Sequence, residues 1–233
     1  MSPTKSPRIA NELLAALPKK DYQALQRHLE EIPLVFEEIL YQPNVLISDV
    51  YFPNSGIVSL LAAVNGRATL EVGLVGKEGI LGLAVFMGVS NSHNRAVVQG
   101  VGSAMKMKAT TFRKQCNDGG VLPRLLRRYS HSLMTQITQS AVCNQFHSVD
   151  ARLARWLLMT HDRMGTDEFQ LTQDFLSNML GVRREGVSRA AGDLQKRNLI
   201  EYSRGRLKVL DRAGLEATSC GCYEVIKEES KSS

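Results

Sequence analysis

The spacing of apolar residues divides the chain into regions of helix and regions of strand. Between residues 9 and 29, leucines recur at three- and four-residue intervals, which predicts two short amphipathic helices. From 32 to 107 the pattern changes to short apolar runs separated by turn-forming residues. The runs lie at 45–52, 56–64, 68–75, 95–99 and 104–108. Asn65-Gly66 favours a hairpin, and many short strands with regular turns indicate a β-barrel or jelly roll.

A single long helix is predicted at 122–147, where a narrow stripe repeats every three or four positions. The stripe consists of Leu122, Leu126, Tyr129, Leu133, Ile137 and Ser140. The helix is longer than the average of about 12 residues. A long helix with a narrow stripe favours a coiled-coil-like contact with a second copy of the chain. The alternative is an ordinary helix that packs on the barrel.

Residues 148–233 have the pattern of a small α+β domain that ends in a polar tail from Lys227 onward. Ser148 is predicted to cap a helix, and 169–171 to form a short strand. The alternation over 200–210 predicts two strands joined by a turn at Arg204-Gly205.

Between these elements, the sequence predicts two helices separated by a tight turn. Thr172 caps the first helix, Gly181 supplies the left-handed conformation of the turn, and the second helix begins near Arg183. Apolar residues at helical spacing define the faces expected to be buried, namely Phe175, Leu176, Met179, Leu180, Val187, Ala190, Ala191 and Leu194. This spacing is that of a helix-turn-helix.

The exposed start of the second helix carries side chains suited to reading DNA. Arginine can donate two parallel hydrogen bonds to guanine, and glutamate can accept one from cytosine. A recognition helix contacts bases with its N-terminal residues, while helix N-termini and wing residues contact the phosphate backbone. The predicted DNA-binding residues are Thr172, Arg183, Arg184, Glu185, Ser188, Arg189, Ser203, Arg204 and Arg206.

Composition and charge agree with this interpretation. The 233 residues are 43% hydrophobic and 22% charged, which excludes a largely disordered, collagen-like or disulfide-dense protein. The net charge of +6 is only a weak indication of a nucleic-acid partner. Between 183 and 208, however, eight Lys/Arg face three Asp/Glu, whereas the remainder of 148–233 has six against ten. Positive charge is therefore concentrated on the predicted reading surface.

Other functional classes lack their signals. No apolar stretch approaches the ~20 residues of a membrane span, and the N-terminus has no apolar signal core, so a cytoplasmic protein without a membrane partner is expected. No catalytic triad, P-loop or dinucleotide fingerprint is present, so no enzymatic activity is expected. Cys116, Cys143, Cys220 and Cys222 are expected to be reduced thiols, and no histidine has a ligand-like spacing to a cysteine. No metal site is predicted.

Residues 149–210 resemble the winged helix-turn-helix of the Crp/Fnr family of bacterial transcription regulators. The resemblance rests on Arg184-Glu185-X-Val187-X-Arg189 and on Asn198-Leu199-Ile200 before the wing. It implies that Arg184, Glu185 and Arg189 read bases and that Thr172 contacts a phosphate. Gly186 stands where other members often have Thr or Ser, so one contact is missing.

The resemblance extends over nearly the whole chain and implies an α+β fold in three parts. A cyclic-nucleotide-binding-like effector domain, a β-barrel or jelly roll, would occupy 1–120. A dimerisation helix would occupy 121–147, and a winged helix-turn-helix DNA-binding domain 148–233. The resemblance also implies a homodimer on a palindromic operator in double-stranded DNA, with RNA polymerase as a further partner.

The effector site departs from the family pattern. Gly79-Ile80-Leu81-Gly82 resembles a Gly-Glu-Leu-Gly stretch, but Ile80 replaces the glutamate that holds a ribose hydroxyl. Asn94-Arg95-Ala96 resembles the phosphate-binding stretch with its arginine displaced by one residue, which in a strand turns it to the opposite face unless a bulge restores the register. Both departures disfavour cyclic AMP.

A pocket for a different small molecule, or for none, is expected from Ile80, Leu81, Asn94, Arg95, Ile137 and Thr138. No iron–sulfur cluster is expected, because no cysteine precedes Cys116. The sequence thus predicts a homodimeric DNA-binding transcription regulator without a cofactor. The alternative is a signalling module that binds a cyclic nucleotide or another small molecule and uses its helix-turn-helix for protein contacts.

Overall fold

The computed structural model describes residues 9–64, 68–117 and 119–232. It confirms the predicted α+β class, with an N-terminal jelly roll, a long helix and a C-terminal winged helix-turn-helix. The predicted Asn65-Gly66 turn lies outside the described residues. The strands on either side of it nevertheless pair antiparallel, from Val58 opposite Val75 to Val64 opposite Ala68.

The N-terminal region contains two short helices followed by two facing sheets. The helices are α1 (Glu12–Ala15) and α2 (Lys19–Gln26). The strands are β1 (Glu30–Leu34), β2 (Ile39–Tyr41), β3 (Asp49–Pro53), β4 (Ile57–Val64), β5 (Ala68–Val75), β6 (Asn94–Gly100) and β7 (Gly102–Lys108). One sheet has the order β1-β7-β3 and the other the order β2-β6-β4-β5, so the strands form a jelly-roll-like pair of sheets rather than a closed barrel.

Helix α3 (Leu83–Phe86) lies between β5 and β6, and α4 (Ala109–Asn117) follows β7 and leads to the long helix α5 (Val121–Phe146). After α5, the extended backbone of His147 and Ser148 turns the chain into α6 (Val149–Met164). Ser148 caps α6 as predicted, because its hydroxyl accepts a hydrogen bond from the Ala151 N–H at 3.4 Å.

The C-terminal region continues with helices and a three-stranded sheet. Its elements are β8 (Glu168–Gln170), α7 (Gln173–Leu180), α8 (Arg184–Lys196), β9 (Ile200–Ser203), β10 (Arg206–Val209), α9 (Arg212–Thr218) and α10 (Cys222–Ser232). The strands have the order β8-β10-β9. The predicted polar tail from Lys227 is part of α10, which returns along α5.

The winged region packs directly on the jelly roll. Ile57, Leu61, Leu74 and Val97 project from the outer face of the four-stranded sheet into the same hydrophobic core as Trp156 of α6. The opposite face of that sheet, which includes Val58 and Val98, forms the jelly-roll core. Because one sheet is buried on both faces, the position of α7 and α8 is fixed relative to the N-terminal region.

Candidate nucleic-acid interface

The turn between α7 and α8 has the predicted geometry. The Thr172 hydroxyl accepts a hydrogen bond from the Phe175 N–H at 3.1 Å and so caps α7. Gly181 ends α7 at φ 61° and ψ 35°, a left-handed conformation that favours glycine. A side chain at Gly181 would also lie 2.7 Å from Leu70 of the jelly roll. Arg183 then takes an extended conformation, and α8 begins at Arg184.

The inner faces of both helices are buried as predicted. The residues concerned are Phe175, Leu176, Met179 and Leu180 in α7 and Val187, Ala190, Ala191 and Leu194 in α8. This packing holds α8 as a rigid element with one face turned to solvent.

The exposed start of α8 carries five of the predicted DNA-binding side chains. Arg183, Arg184, Glu185, Ser188 and Arg189 all lie at the surface. Arg184 forms an ion pair with Asp174 of α7, in which both side chains remain more than half exposed. An exposed ion pair of this kind contributes only about 0–1 kcal/mol, so it orients Arg184 without withholding it from an anionic partner.

The wing is the tight hairpin formed by β9 and β10, and it is hydrogen-bonded to the residue just before the N-terminus of α7. Arg204 and Gly205 have φ values of 49° and 75°, as the two central residues of a type I′ turn require. The Gly205 carbonyl accepts a hydrogen bond from the Leu171 N–H at 2.8 Å, and the Tyr202 hydroxyl donates one to the Leu171 carbonyl at 2.9 Å. These bonds place the wing beside the N-terminus of α7.

A groove of about 420 Å³ separates the wing from α8. Thr172, Ser188, Ser203 and Arg204, which the sequence analysis assigned to DNA, all line it. Arg206 is also exposed, one strand position beyond the turn. The nine predicted DNA-binding residues therefore lie on α8, the wing and the start of α7, on the solvent-facing side of the winged region.

Three other arginines of the region do not add to this surface. Arg152 and Arg155 on α6 are buried, and Arg163 forms an ion pair with Glu78 of the jelly roll at 2.7 Å. The buried arginines act inside the protein, whereas those on α8 and the wing face outward. Exposed arginines are thus found on α8 and on the wing, and Arg204 lines the groove between them.

The stretch that carries two of the predicted effector-pocket residues is buried. Ile80 and Leu81 are each 1% exposed and belong to the jelly-roll core, and Leu81 pairs through its backbone with Tyr51. A side chain at Gly79 would lie 2.2 Å from the hydroxyl oxygen of Tyr129, so the Tyr129 ring fills the space against that stretch. These residues pack against protein and do not line an open site.

Of the other proposed pocket residues, Arg95 and Thr138 point elsewhere. β6 pairs with β4 in unbroken register from Asn94 to Val98, and no bulge lies between them. Arg95 therefore shares a face with Val97, which contacts the winged region, and its Nε donates to the Gln42 side chain at 2.9 Å. Thr138 is exposed. Arg95 and Thr138 therefore lie apart from Ile80 and Leu81, whereas Ile137 packs against the same core and Asn94 shares a strand face with Ala96 and Val98 of that core.

The predicted dimer stripe also requires correction. Leu122, Leu126, Tyr129 and Leu133 are buried in the jelly-roll core of their own chain, Ser140 is buried, and Ile137 is half-buried. The alternative of a helix packed on the N-terminal region is the observed arrangement for these residues. The buried face of α5 is wider than the stripe, because it also includes Leu125, Gln136 and Cys143.

A different stripe of α5 faces solvent. Met134, Val142 and Phe146 are 64%, 38% and 74% exposed. Thr138 and Ala141 are exposed between them. This outer stripe repeats at three- and four-residue intervals over the C-terminal half of the helix.

The sequence analysis missed one cluster. The structure brings Cys143, His147, Cys220 and Cys222 together, with one potential ligand atom from each within 4.8 Å of all the others. The expectation that no histidine stands in a ligand-like relation to a cysteine is therefore wrong. Cys143 and His147 are one helical turn apart, a signal that was present in the sequence.

Among the helices of residues 9–64, 68–117 and 119–232, none has the length and apolar character that crossing a membrane requires.

Comparisons with known proteins agree with this architecture. Residues 151–218 match the family model of the Crp-like helix-turn-helix domain. FixK2 from Bradyrhizobium japonicum superposes with a TM-score of 0.70 at 16% identity, covering 83% of this chain and 98% of its own. A mutant of CooA from Carboxydothermus hydrogenoformans superposes with a TM-score of 0.63 at 17% identity, covering 92% of this chain and 97% of its own.

The regulator CLP of Xanthomonas campestris, described as responsive to c-di-GMP, gives a TM-score of 0.67 at 15% identity, covering 82% of this chain and 99% of its own. A comparison with curated protein sequences gave no match. The resemblance drawn from α8 and the wing is confirmed. Residues 151–218 match the Crp-like helix-turn-helix domain, and the chain as a whole shares its fold with FixK2, CLP and CooA.

Proposed function

We propose that this protein is a sequence-specific DNA-binding transcription regulator of the Crp/Fnr type. The observation that carries the proposal is the exposed, cationic surface formed by the start of α8 and the wing. Its arginines can engage guanine edges and phosphates at the same time. The protein acts in the cytoplasm with RNA polymerase as a further partner, and it has no enzymatic activity.

The positions of the side chains assign them to different contacts with DNA. Arg184, Glu185 and Arg189 project from the first two turns of α8, which enter the major groove and read bases. Thr172 lies at the N-terminus of α7, where free backbone N–H groups favour a phosphate. Arg204 and Arg206 of the wing contact the adjacent sugar-phosphate backbone of the DNA.

Two copies bind together through the outer stripe of α5. Met134, Val142 and Phe146 expose apolar surface along a 26-residue helix, and exposed apolar surface of this kind favours a partner. A second copy with the same stripe is self-complementary about a two-fold axis. The two winged helix-turn-helix domains of the dimer then face two operator half-sites that lie about one helical turn of DNA apart.

The jelly roll regulates or supports this dimer without cyclic AMP or an iron–sulfur cluster. Core packing around Ile80 and Leu81, with Tyr129 over Gly79, supports that view.

A salt titration tests the DNA-binding proposal. Fluorescence anisotropy with a pool of random-sequence duplexes should give an affinity that falls steeply with salt, by about 0.9 log units per log unit of salt for each phosphate contacted. If the helix-turn-helix instead mediates protein contacts, duplex affinity is negligible at every salt concentration, and the proposal fails.

Sedimentation velocity tests the dimer. Met134→Asp places a charge on the outer stripe and should convert the dimer to a monomer at micromolar concentration. Met87→Asp is the matched control, since Met87 is 55% exposed at the end of α3, away from the stripe. A wild-type protein that sediments as a monomer, with and without DNA, would contradict the proposed assembly.

A further inference from the structure

Four side chains with metal-binding groups meet where the long helix joins the winged region. Cys143 lies in the last turn of α5, and His147 caps its C-terminus. Cys220 and Cys222 flank Gly221 at the start of α10. One sulfur or nitrogen atom from each residue lies within 4.8 Å of the other three.

The distances fit a single tetrahedral ion. Zinc bound to sulfur at about 2.3 Å and to nitrogen at about 2.05 Å places two sulfurs roughly 3.8 Å apart and a sulfur and a nitrogen roughly 3.6 Å apart. The Sγ atoms of Cys143 and Cys220 are 3.4 Å apart, and Cys222 Sγ is 3.7 Å from His147 Nδ1. A covalent disulfide needs about 2.05 Å between sulfurs, and all four cysteines of the chain are free.

The surroundings suit a negatively charged metal centre. A divalent ion with three thiolates and a neutral imidazole has a net charge of −1. Arg152 and Arg155 of α6 are 7% and 6% exposed and interact electrostatically with Cys143. Their Nε atoms are buried and have no hydrogen-bond partner among the described residues. Two buried guanidinium groups therefore supply the positive charge that the thiolates require.

We propose that Cys143, His147, Cys220 and Cys222 bind one zinc ion. Three thiolates and one imidazole form a soft, tetrahedral ligand set typical of structural zinc. The protein supplies all four ligands, so no position is left for substrate, and the ion has a structural role. A multi-iron cluster fits less well, because its ligands bind different iron atoms and lie farther apart than one shared ion requires.

The order of the ligands along the chain gives the ion a definite task. Cys143 and His147 precede residues 151–218, which form the helix-turn-helix domain, and Cys220 and Cys222 follow it. Both ends of the domain therefore meet at one ion. The zinc ion links the start of the domain to its end and limits rotation of the chain about the extended residues 147–148. Neither effect depends on whether α8 contacts DNA.

Metal analysis of the full-length chain tests the site. Protein purified under reducing conditions, without a histidine tag, should contain about one zinc per chain. Cys143→Ser and Cys222→Ser should lose most of it, whereas Cys116→Ser should retain it, since Cys116 is a half-buried cysteine outside the cluster. A zinc content equal in the wild type, Cys143→Ser and Cys116→Ser would overturn the proposal.

Cobalt substitution keeps the test valid if the serine variants do not fold. Wild-type protein freed of zinc by a chelator and titrated with Co²⁺ should develop the intense visible absorption of tetrahedral cobalt with thiolate ligands, and Zn²⁺ should abolish it. A weak octahedral spectrum would contradict the proposal. So would a reduced preparation in which Cys143 and Cys220 form a disulfide, seen as the loss of two hydrogen atoms by mass spectrometry.

Hydrogen exchange tests the structural role. Removing zinc should accelerate amide exchange at 143–150 and 219–226 and leave β4 in the jelly roll unchanged. Unchanged exchange at both segments after zinc has left would show that the ion does not hold the domain base.

Discussion

The surface of α8 and the wing contrasts with the region around Ile80 and Leu81 in the jelly roll. On α8, charged side chains project into solvent from a helix whose other face is buried. Around Ile80, aliphatic side chains fill the core, and the Tyr129 ring lies against Gly79. Both regions were predicted to bind a partner, but only the first presents an accessible surface with matching chemistry.

The contrast separates two kinds of prediction. A helix-turn-helix is specified by residues close together in sequence, so its exposed side chains follow from one helical repeat. A pocket depends on which distant elements pack over it. In this chain Tyr129 of α5, which the helical pattern assigned to a dimer contact, fills the space beside Gly79.

The largest expected effect is on the jelly-roll side of the comparison. Leu81→Ala should destabilise the fold by about 2–5 kcal/mol, because a fully buried leucine leaves a cavity when truncated. Urea unfolding monitored by circular dichroism measures this loss. Leu210→Ala, at a position 51% exposed, is the control and should change stability by no more than about 0.5 kcal/mol. Equal, small losses for both variants would mean that Leu81 borders an open pocket.

On the α8 side, Arg184→Ala should weaken binding to an operator selected from a random duplex library by about 1–3 kcal/mol, while folding is retained. The arginine is exposed, so its loss removes a DNA contact rather than core packing. Competition anisotropy provides the measurement. Arg27→Ala, an exposed arginine at the end of α2, should bind like the wild type. Comparable losses of DNA affinity in the two variants would show that α8 contributes no more to DNA binding than other exposed parts of the surface.

The stability of the protein should depend on pH through a buried carboxyl group between the jelly roll and α6. The Glu71 carboxyl on β5 accepts hydrogen bonds from Trp156 Nε1 at 2.9 Å and the Ser59 hydroxyl at 2.8 Å. Burial raises the pKa of Glu71 from its usual 4.5 to about 7. The folded state thus holds this proton more tightly than the unfolded state, so stability falls as pH rises from about 4.5 to about 7 and then levels off.

Glu71→Gln should remove this dependence, which amounts to roughly 1–3 kcal/mol across that window, while the amide oxygen can accept the Trp156 hydrogen bond and the amide NH2 group can donate to the Ser59 oxygen. Denaturant unfolding at several pH values measures it. Glu201→Gln, at an exposed position on β9, serves as the control. A variant that keeps the wild-type slope would show that Glu71 is not the group responsible.

The smallest effect is expected at the wing. Arg204→Ala should weaken DNA binding about equally on all sequences and reduce the salt slope by about 1, since this residue contacts phosphate. Gly205 stays in place, so the turn geometry is preserved. A loss confined to one base pair of the operator would instead assign base reading to the wing.

Sequence reasoning identified most of the fold and the DNA-facing surface. The Thr172 cap, the left-handed Gly181, the buried face of α8 and the Arg204-Gly205 turn are set by local chemistry and were confirmed. Strands β1 and β2 were missed, since Glu30–Leu34 and Ile39–Tyr41 are short and largely exposed edge segments without clear alternation.

Long-range packing accounts for the remaining errors. The stripe of α5 was apolar enough for a partner helix, but its neighbour is the jelly roll of the same chain. Cys143 and Cys220 are 77 residues apart in sequence, and only the return of α10 along α5 brings them together. No repeat or local spacing reports such a contact.

Selection of bound sequences from a random duplex library tests the central claim most directly. Wild-type full-length protein should enrich an inverted repeat whose half-site centres are separated by about 10–10.5 base pairs or a multiple of that distance. Arg184→Ala should enrich the same repeat with relaxed preference at one base pair in each half. A wild-type protein that enriches no sequence, and binds every duplex with equal affinity, would contradict the account.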